Sequence, residues 1–62
     1  MMFSVFAKDF MYGTVVQHNM TVDGVIQLLL DWNYGKDIIV KNMVIKNVSI
    51  ETISVKETGR DD

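Results

Sequence analysis

From Ile38 to Glu57 the chain reads Ile-Ile-Val-Lys-Asn, Met-Val-Ile-Lys-Asn, Val-Ser-Ile-Glu-Thr, Ile-Ser-Val-Lys-Glu. These are four successive pentads, each apolar at its first and third positions and polar at its last two. A five-residue period is neither helical nor that of a simple strand. One reading is a coil of a parallel β-helix or pentapeptide-repeat stack. Such folds need several coils to bury a continuous core, and four pentads make roughly one. The other reading is a β-hairpin turning at Lys46-Asn47. That register pairs Ile45 with Val48, Met43 with Ile50, Val40 with Ile53 and Ile38 with Val55, and sets Asp37 opposite Lys56. Because side chains alternate faces, Met43, Ile45, Val48 and Ile50 form one apolar patch near the tip. Ile38, Val40, Ile53 and Val55 form another on the opposite face near the base. One patch can pack on the protein's own helix, and the other, expected at the tip, needs a second molecule as cover or a bulge that re-aims it.

Upstream, Thr21–Gly35 carries the signals of a helix. Thr21 is an N-cap whose hydroxyl can accept from first-turn amides. Asp23 suits the positive end of the helix dipole, Met20 and Val25 can staple the entry, and Gly35 is a natural left-handed stop. Val22, Val25, Ile26, Leu29 and Trp32 form the central apolar stripe, widened by Leu28 and Leu30. The resulting arc is about 200°, against roughly 100° for an ordinary surface helix. A helix so apolar is covered on more than one side, and a second copy of the chain is the expected second cover.

The N-terminal third, Phe3-Ser-Val-Phe-Ala and Phe10-Met-Tyr-Gly-Thr-Val-Val-Gln, is rich in aromatic and β-branched residues and interrupted at Lys8-Asp9. It reads as two strands. The expected class is α+β: a small antiparallel sheet of two N-terminal strands and a C-terminal hairpin, with one helix packed on one face. Residues 1–57 form the expected domain and 58–62 a polar tail.

At 62 residues with no cysteine and no proline, this is one domain without a disulfide framework or thiolate metal site. So short a chain buries only about 60% of its unfolded surface. With 48% apolar residues and 23% charged, dense packing and self-association are what remain to stabilise it. The Met1–Met11 stretch lacks a basic leader region and no run reaches transmembrane length, so the expected location is the cytoplasm. The sequons at Asn19 and Asn47 are then chance matches. Ala7 is the single alanine and Arg60 the single arginine, while Lys, Asn, Ile, Val, Asp and Met abound. In this usage and in its brevity the chain resembles the short accessory proteins of bacteriophages of low-GC bacteria. The resemblance implies host or viral protein modulation as a role and transfers no functional residue.

Catalytic chemistry is poorly provided for. His18 is the single histidine, and a base needs a nucleophile and an orienting group, a catalytic metal usually three ligands. Asp23 and Asp31 lie eight apart on the helix's polar strip, too far for a carboxylate pair, and the glycines match no phosphate loop. The expectation is a protein that is not an enzyme, without cofactor or metal. Lys41, Lys46 and Lys56 could line a DNA-binding β-ribbon. A net charge of −2, with Glu51 and Glu57 interrupting the lysines, gives no concentrated basic surface. The acidic polar strip of the helix equally argues against a membrane surface. The expected partners are therefore a second copy of the chain and another protein. The candidate interface is Met43, Ile45, Val48 and Ile50 on the hairpin, Leu28 and Leu30 on the helix, and Tyr34 beyond its end, an anchor type favoured at interfaces. Other readings are a self-assembling virion or scaffold component and a dimeric β-ribbon regulator of nucleic acid.

Overall fold

A computed structural model of the chain describes residues 1–59. The fold is α+β, with an antiparallel three-stranded sheet, one helix and a separate small hairpin. Strand β1 (Met2–Asp9) lies at the centre of the sheet, between β2 (Gly13–Met20) and the long C-terminal strand β5 (Ile50–Gly59). The helix α1 spans Val22–Asn33, and β3 (Ile38–Val40) pairs with β4 (Met43–Ile45). A single 3₁₀ turn, Asn47–Ser49, leads into β5.

The N-terminal strands form a hairpin. Lys8 pairs with Thr14 and Asp9 with Gly13, so Phe10, Met11 and Tyr12 make the loop rather than the start of a strand. Gly13 follows at φ +72, where a side chain would be strained. Near its far end β2 carries one extra residue between the Val5–Gln17 and Phe3–Met20 pairs, and Asn19 absorbs it at φ 59. Asparagine is the residue other than glycine that best tolerates this conformation.

The helix starts and stops as its sequence requires. The Thr21 hydroxyl accepts from the Gly24 amide at 3.1 Å. At the other end the Lys36 amide donates to Asp31 and the Gly35 amide to Trp32, with Gly35 at φ +84. That pair of bonds is a Schellman stop, which satisfies carbonyls the last turn leaves free.

The pentads do not form one hairpin, and they do not coil as a repeat stack. The two-residue turn falls at Lys41-Asn42, and the ladder runs Ile38–Ile45, Ile39–Val44, Val40–Met43. Lys41 and Asn42 both have positive φ, as a type I′ turn requires. The polar pairs are used differently: a hairpin turn at Lys41-Asn42, entry at Lys46-Asn47 to a 3₁₀ turn that takes in Val48 and Ser49, and a bulge at Glu51 in the β1–β5 ladder, while Lys56-Glu57 continues β5. Beyond that bulge Ile53 pairs with Ala7 and Val55 with Val5, which binds the last pentad to the N-terminal strand. The expected pairings of Ile45 with Val48 and Val40 with Ile53 are therefore not made. Thr58 and Gly59 continue β5, so the ordered domain runs past 57. The expectation of a polar tail at 60–62 lies outside the described residues.

One face of the sheet carries the core. Val5, Ala7 and Val15 from the sheet, Val25 and Leu28 from the helix, Ile38, Val40 and Ile45 from the small hairpin, and Ile50 are buried together. Leu29, Trp32, Met43 and Ile53 pack partly buried against them. The helix lies over β1, and β3 packs between the helix and the β2 side of the sheet. The Lys41 amide donates to the Gln17 side chain at 2.8 Å, which ties the tip of the small hairpin to β2.

Candidate functional site

The residues proposed from the sequence as an interface divide sharply. Ile45 is fully buried, and Ile50 and Leu28 are buried in the same core. These three are the protein's own packing and cannot present a surface. The reason is the pairing that the chain makes: the turn at Lys41-Asn42 sets Ile45 against buried Ile38, and Ile50 pairs with buried Asp9 of β1. Met43 is half-buried against the core. Leu30, Tyr34 and Val48 are exposed, Val48 at 88% and Tyr34 at 73%.

Val48 and Tyr34 lie at the same end of the molecule as the β1–β2 loop. The Phe10 amide donates to the Ser49 carbonyl at 3.0 Å, which seats the loop against the 3₁₀ turn. Asn47 in that turn donates from its side-chain nitrogen to the Trp32 carbonyl at 2.8 Å and the Lys36 carbonyl at 3.0 Å, clasping the two sides of the helix stop. Its own amide donates to Asp37 at 2.9 Å. The end so assembled carries Phe10, Met11, Tyr12, Tyr34 and Val48, all exposed. Isolated exposed apolar residues need no explanation, but aromatic ones grouped at one end of so small a protein do.

Asp9 holds this end together. Its carboxylate accepts from the Met11 and Tyr12 amides, both at 2.9 Å, and from the Ser49 hydroxyl. The residue is buried at 2% exposure. The Ser49 hydroxyl lowers the pKa of this carboxyl below the usual aspartate value, helped by the two amides and opposed by burial. Sequence reasoning placed Asp9 as a separator between two strands. An aspartate followed two and three residues later by a loop is the signal of an Asx turn, and that signal could have singled it out.

His18 lies in β2, and its Nδ1 is hydrogen-bonded to the Ser4 hydroxyl at 2.6 Å. Ser4 is fully buried and also reaches Thr58 at 3.4 Å. A serine sealed beneath its histidine satisfies a buried hydroxyl, and it cannot meet a substrate as a nucleophile would have to. Among the described residues no three of His, Cys, Asp and Glu gather as a metal cage.

A groove of about 320 Å³ runs between the helix and β3, lined by Met20, Leu28 and Ile38 with Gln27, Asp31 and Asp37 at its mouth. Its polar groups already have partners. Gln27 donates to Asp31 at 3.0 Å, and Asp37 receives the Asn47 amide. Among the described residues no helix is long and apolar enough to cross a membrane. Comparison with known proteins gives no match: no family model, curated protein or solved structure resembles the chain significantly.

Proposed function

We propose that this chain is a non-catalytic, phage-type accessory protein of the host cytoplasm that binds a host or viral protein and associates with itself. The observation that supports the reading is the apolar end built from Phe10, Met11, Tyr12, Tyr34 and Val48. Tyrosine, phenylalanine and methionine are enriched at interface centres, where a few rigid aromatic anchors carry most of the binding energy. The anchors are presented at fixed positions by the Asp9 and Asn47 hydrogen bonds, so little conformational freedom is lost on docking. A β-ribbon role on nucleic acid has less to recommend it. Strands β3 and β4 are three residues each, and their outward pair is Ile39 and Val44, which offers neither reach nor charge to a groove.

The test is affinity capture from the native host with the wild-type chain and with a Phe10→Ser/Tyr12→Ser variant, washed at low and at high salt. A protein retained through high salt by the wild type and lost by the variant supports the reading. Capture indifferent to the variant, or nucleic acid released steeply by salt, overturns it.

A further inference from the structure

We propose that a second copy of this chain docks on the free edge of β5, the two strands pairing antiparallel about a two-fold axis at Ser54. The proposal rests on the reading of the chain as self-associating and gives that association a surface.

Among the described residues β5 is the longest strand, ten residues, and β1 is its single strand neighbour, so its outer edge offers a row of backbone groups to another strand. Edges of this length are normally blunted or covered. Here the covering layer is lopsided. Along the helix, the residues lining the groove beside β3 (Gly24, Gln27, Leu28 and Asp31) mark the flank turned to the small hairpin. Val25, Leu28 and Trp32 mark the side turned to the sheet. At about 100° per residue, the remaining flank is Val22, Ile26 and Leu30, and all three are exposed. The small hairpin sits on the β2 side, so this apolar flank overhangs β5. Beneath it, Ile53 is half-buried and Val55 is 38% exposed, although both lie on the core face with their ladder partners Ala7 and Val5. The core is open along that side.

Self-pairing closes it, and the side chains select the register. Centred on Ser54, each Ile53 faces the Val55 of the second copy on the helix side. On the other face each Thr52 faces a Lys56. A shift of two residues either way sets Ile53 against Glu57 or Val55 against Glu51. The Ser54 register leaves Glu51 and Glu57 opposed at the ends, where exposure and the Glu51 bulge weaken their repulsion. Two helices that each lie over β1 would be separated by three strand spacings, about 14 Å. Direct packing takes 8–10 Å, so Ile53 and Val55 fill the floor of the gap between the flanks. An edge of eight residues is about 26 Å long, and strand plus helix is roughly 20 Å high. That footprint, about 500 Å² in flat projection, approaches with side-chain relief the lower end of a stable interface, about 600 Å² per partner.

Ser54 is exposed and the chain has no cysteine, so a single substitution can report the register. Opposed residues in an antiparallel pair lie about 4.5–5.5 Å apart at Cα, within disulfide reach. Under mild oxidation Ser54→Cys is expected to run as a cross-linked dimer on a non-reducing gel, and Thr52→Cys, some 13 Å from its own copy by the same rise, is not. Light scattering of the wild type at about 100 µM is expected to give twice 7.1 kDa. Val55→Lys should restore the single mass with its circular dichroism intact, and Val48→Lys should leave the doubled mass. A wild-type monomer would sink both the pairing and the self-association reading. A doubled mass with Ser54→Cys no better cross-linked than Thr52→Cys sinks the pairing alone.

Discussion

The dipeptide Lys-Asn occurs twice, at 41–42 and at 46–47, each time after an apolar triplet. The first pair is a hairpin turn with both residues left-handed. The second is an extended Lys46 entering a 3₁₀ turn, with Asn47 fixed by the carbonyls of Trp32 and Lys36. Identical residues thus take different conformations, and their hydrogen bonds explain it. At the first pair the outside partner is Gln17, which needs only the Lys41 amide. At the second, the side chain of Asn47 spans the helix stop, and Ser49, standing where the preceding pentad has Val44, bonds to Asp9 and to the Lys46 carbonyl. The same dipeptide interrupts the strands at both places, and distant partners decide how.

The largest expected effect separates Ile45 from Val48, which flank the second Lys-Asn. A hairpin turning there would make them equivalent partners. In the structure one is fully buried and the other 88% exposed. Ile45→Ala should cost about 3 kcal/mol, much of the roughly 3–9 kcal/mol available to a domain this size. Val48→Ala should change stability by less than about 0.5 kcal/mol. Urea denaturation of the two variants measures both, and equal losses would restore the other register.

A smaller effect distinguishes the asparagines. Asn47→Ala removes two side-chain hydrogen bonds from the helix stop and should cost about 2 kcal/mol. Asn42→Ala loses no such bond and suffers the left-handed conformation, about 1 kcal/mol. The ratio of the two losses in denaturant midpoint is the quantity to watch; a greater loss at Asn42 would mean the contacts of Asn47 contribute nothing.

The smallest is in the pH profile. Asp9 is held below its ordinary value of 3.8 chiefly by Ser49. Its folded-state value is lower than its unfolded one. The stabilisation is therefore complete above about pH 4 and is lost as the pH falls through the folded value. Thermal melts of Ser49→Ala between pH 5 and pH 2 should show a shallower acid limb than the wild type. An unchanged limb would detach Asp9 from the second turn.

What could be read from residues alone follows the same division. The helix was legible from Thr21 to Gly35 because its cap, its stop and its stripe are local signals. The α+β class was legible because the strands alternate. The register of the pentads was not, because pairing Ile53 with Ala7 and Val55 with Val5 depends on contacts 46 and 50 residues apart. The interface residues suffered by inheritance: Ile45 and Ile50 were assigned outward by the hairpin that does not form. Tyr34 is exposed just past the helix stop, a position set locally, whereas Val48 is exposed on a 3₁₀ turn and not at a hairpin tip. Phe10 and Met11 went unnoticed because a run of large apolar residues reads as strand until the Asp9 turn is recognised.

The place of β1 between β2 and β5 has a consequence in time. A ribosome emits the central strand β1 before its second neighbour β5, with β2, the helix and the small hairpin between them. The β1–β2 hairpin and α1 are local enough to form as they emerge, whereas the β1–β5 ladder waits for about forty more residues. Through that interval the nascent chain carries an unpaired inner edge, with Val5 and Ala7 incompletely covered. On a crowded message, with several copies in synthesis side by side, the same edge can accept a neighbour's β5 in place of its own.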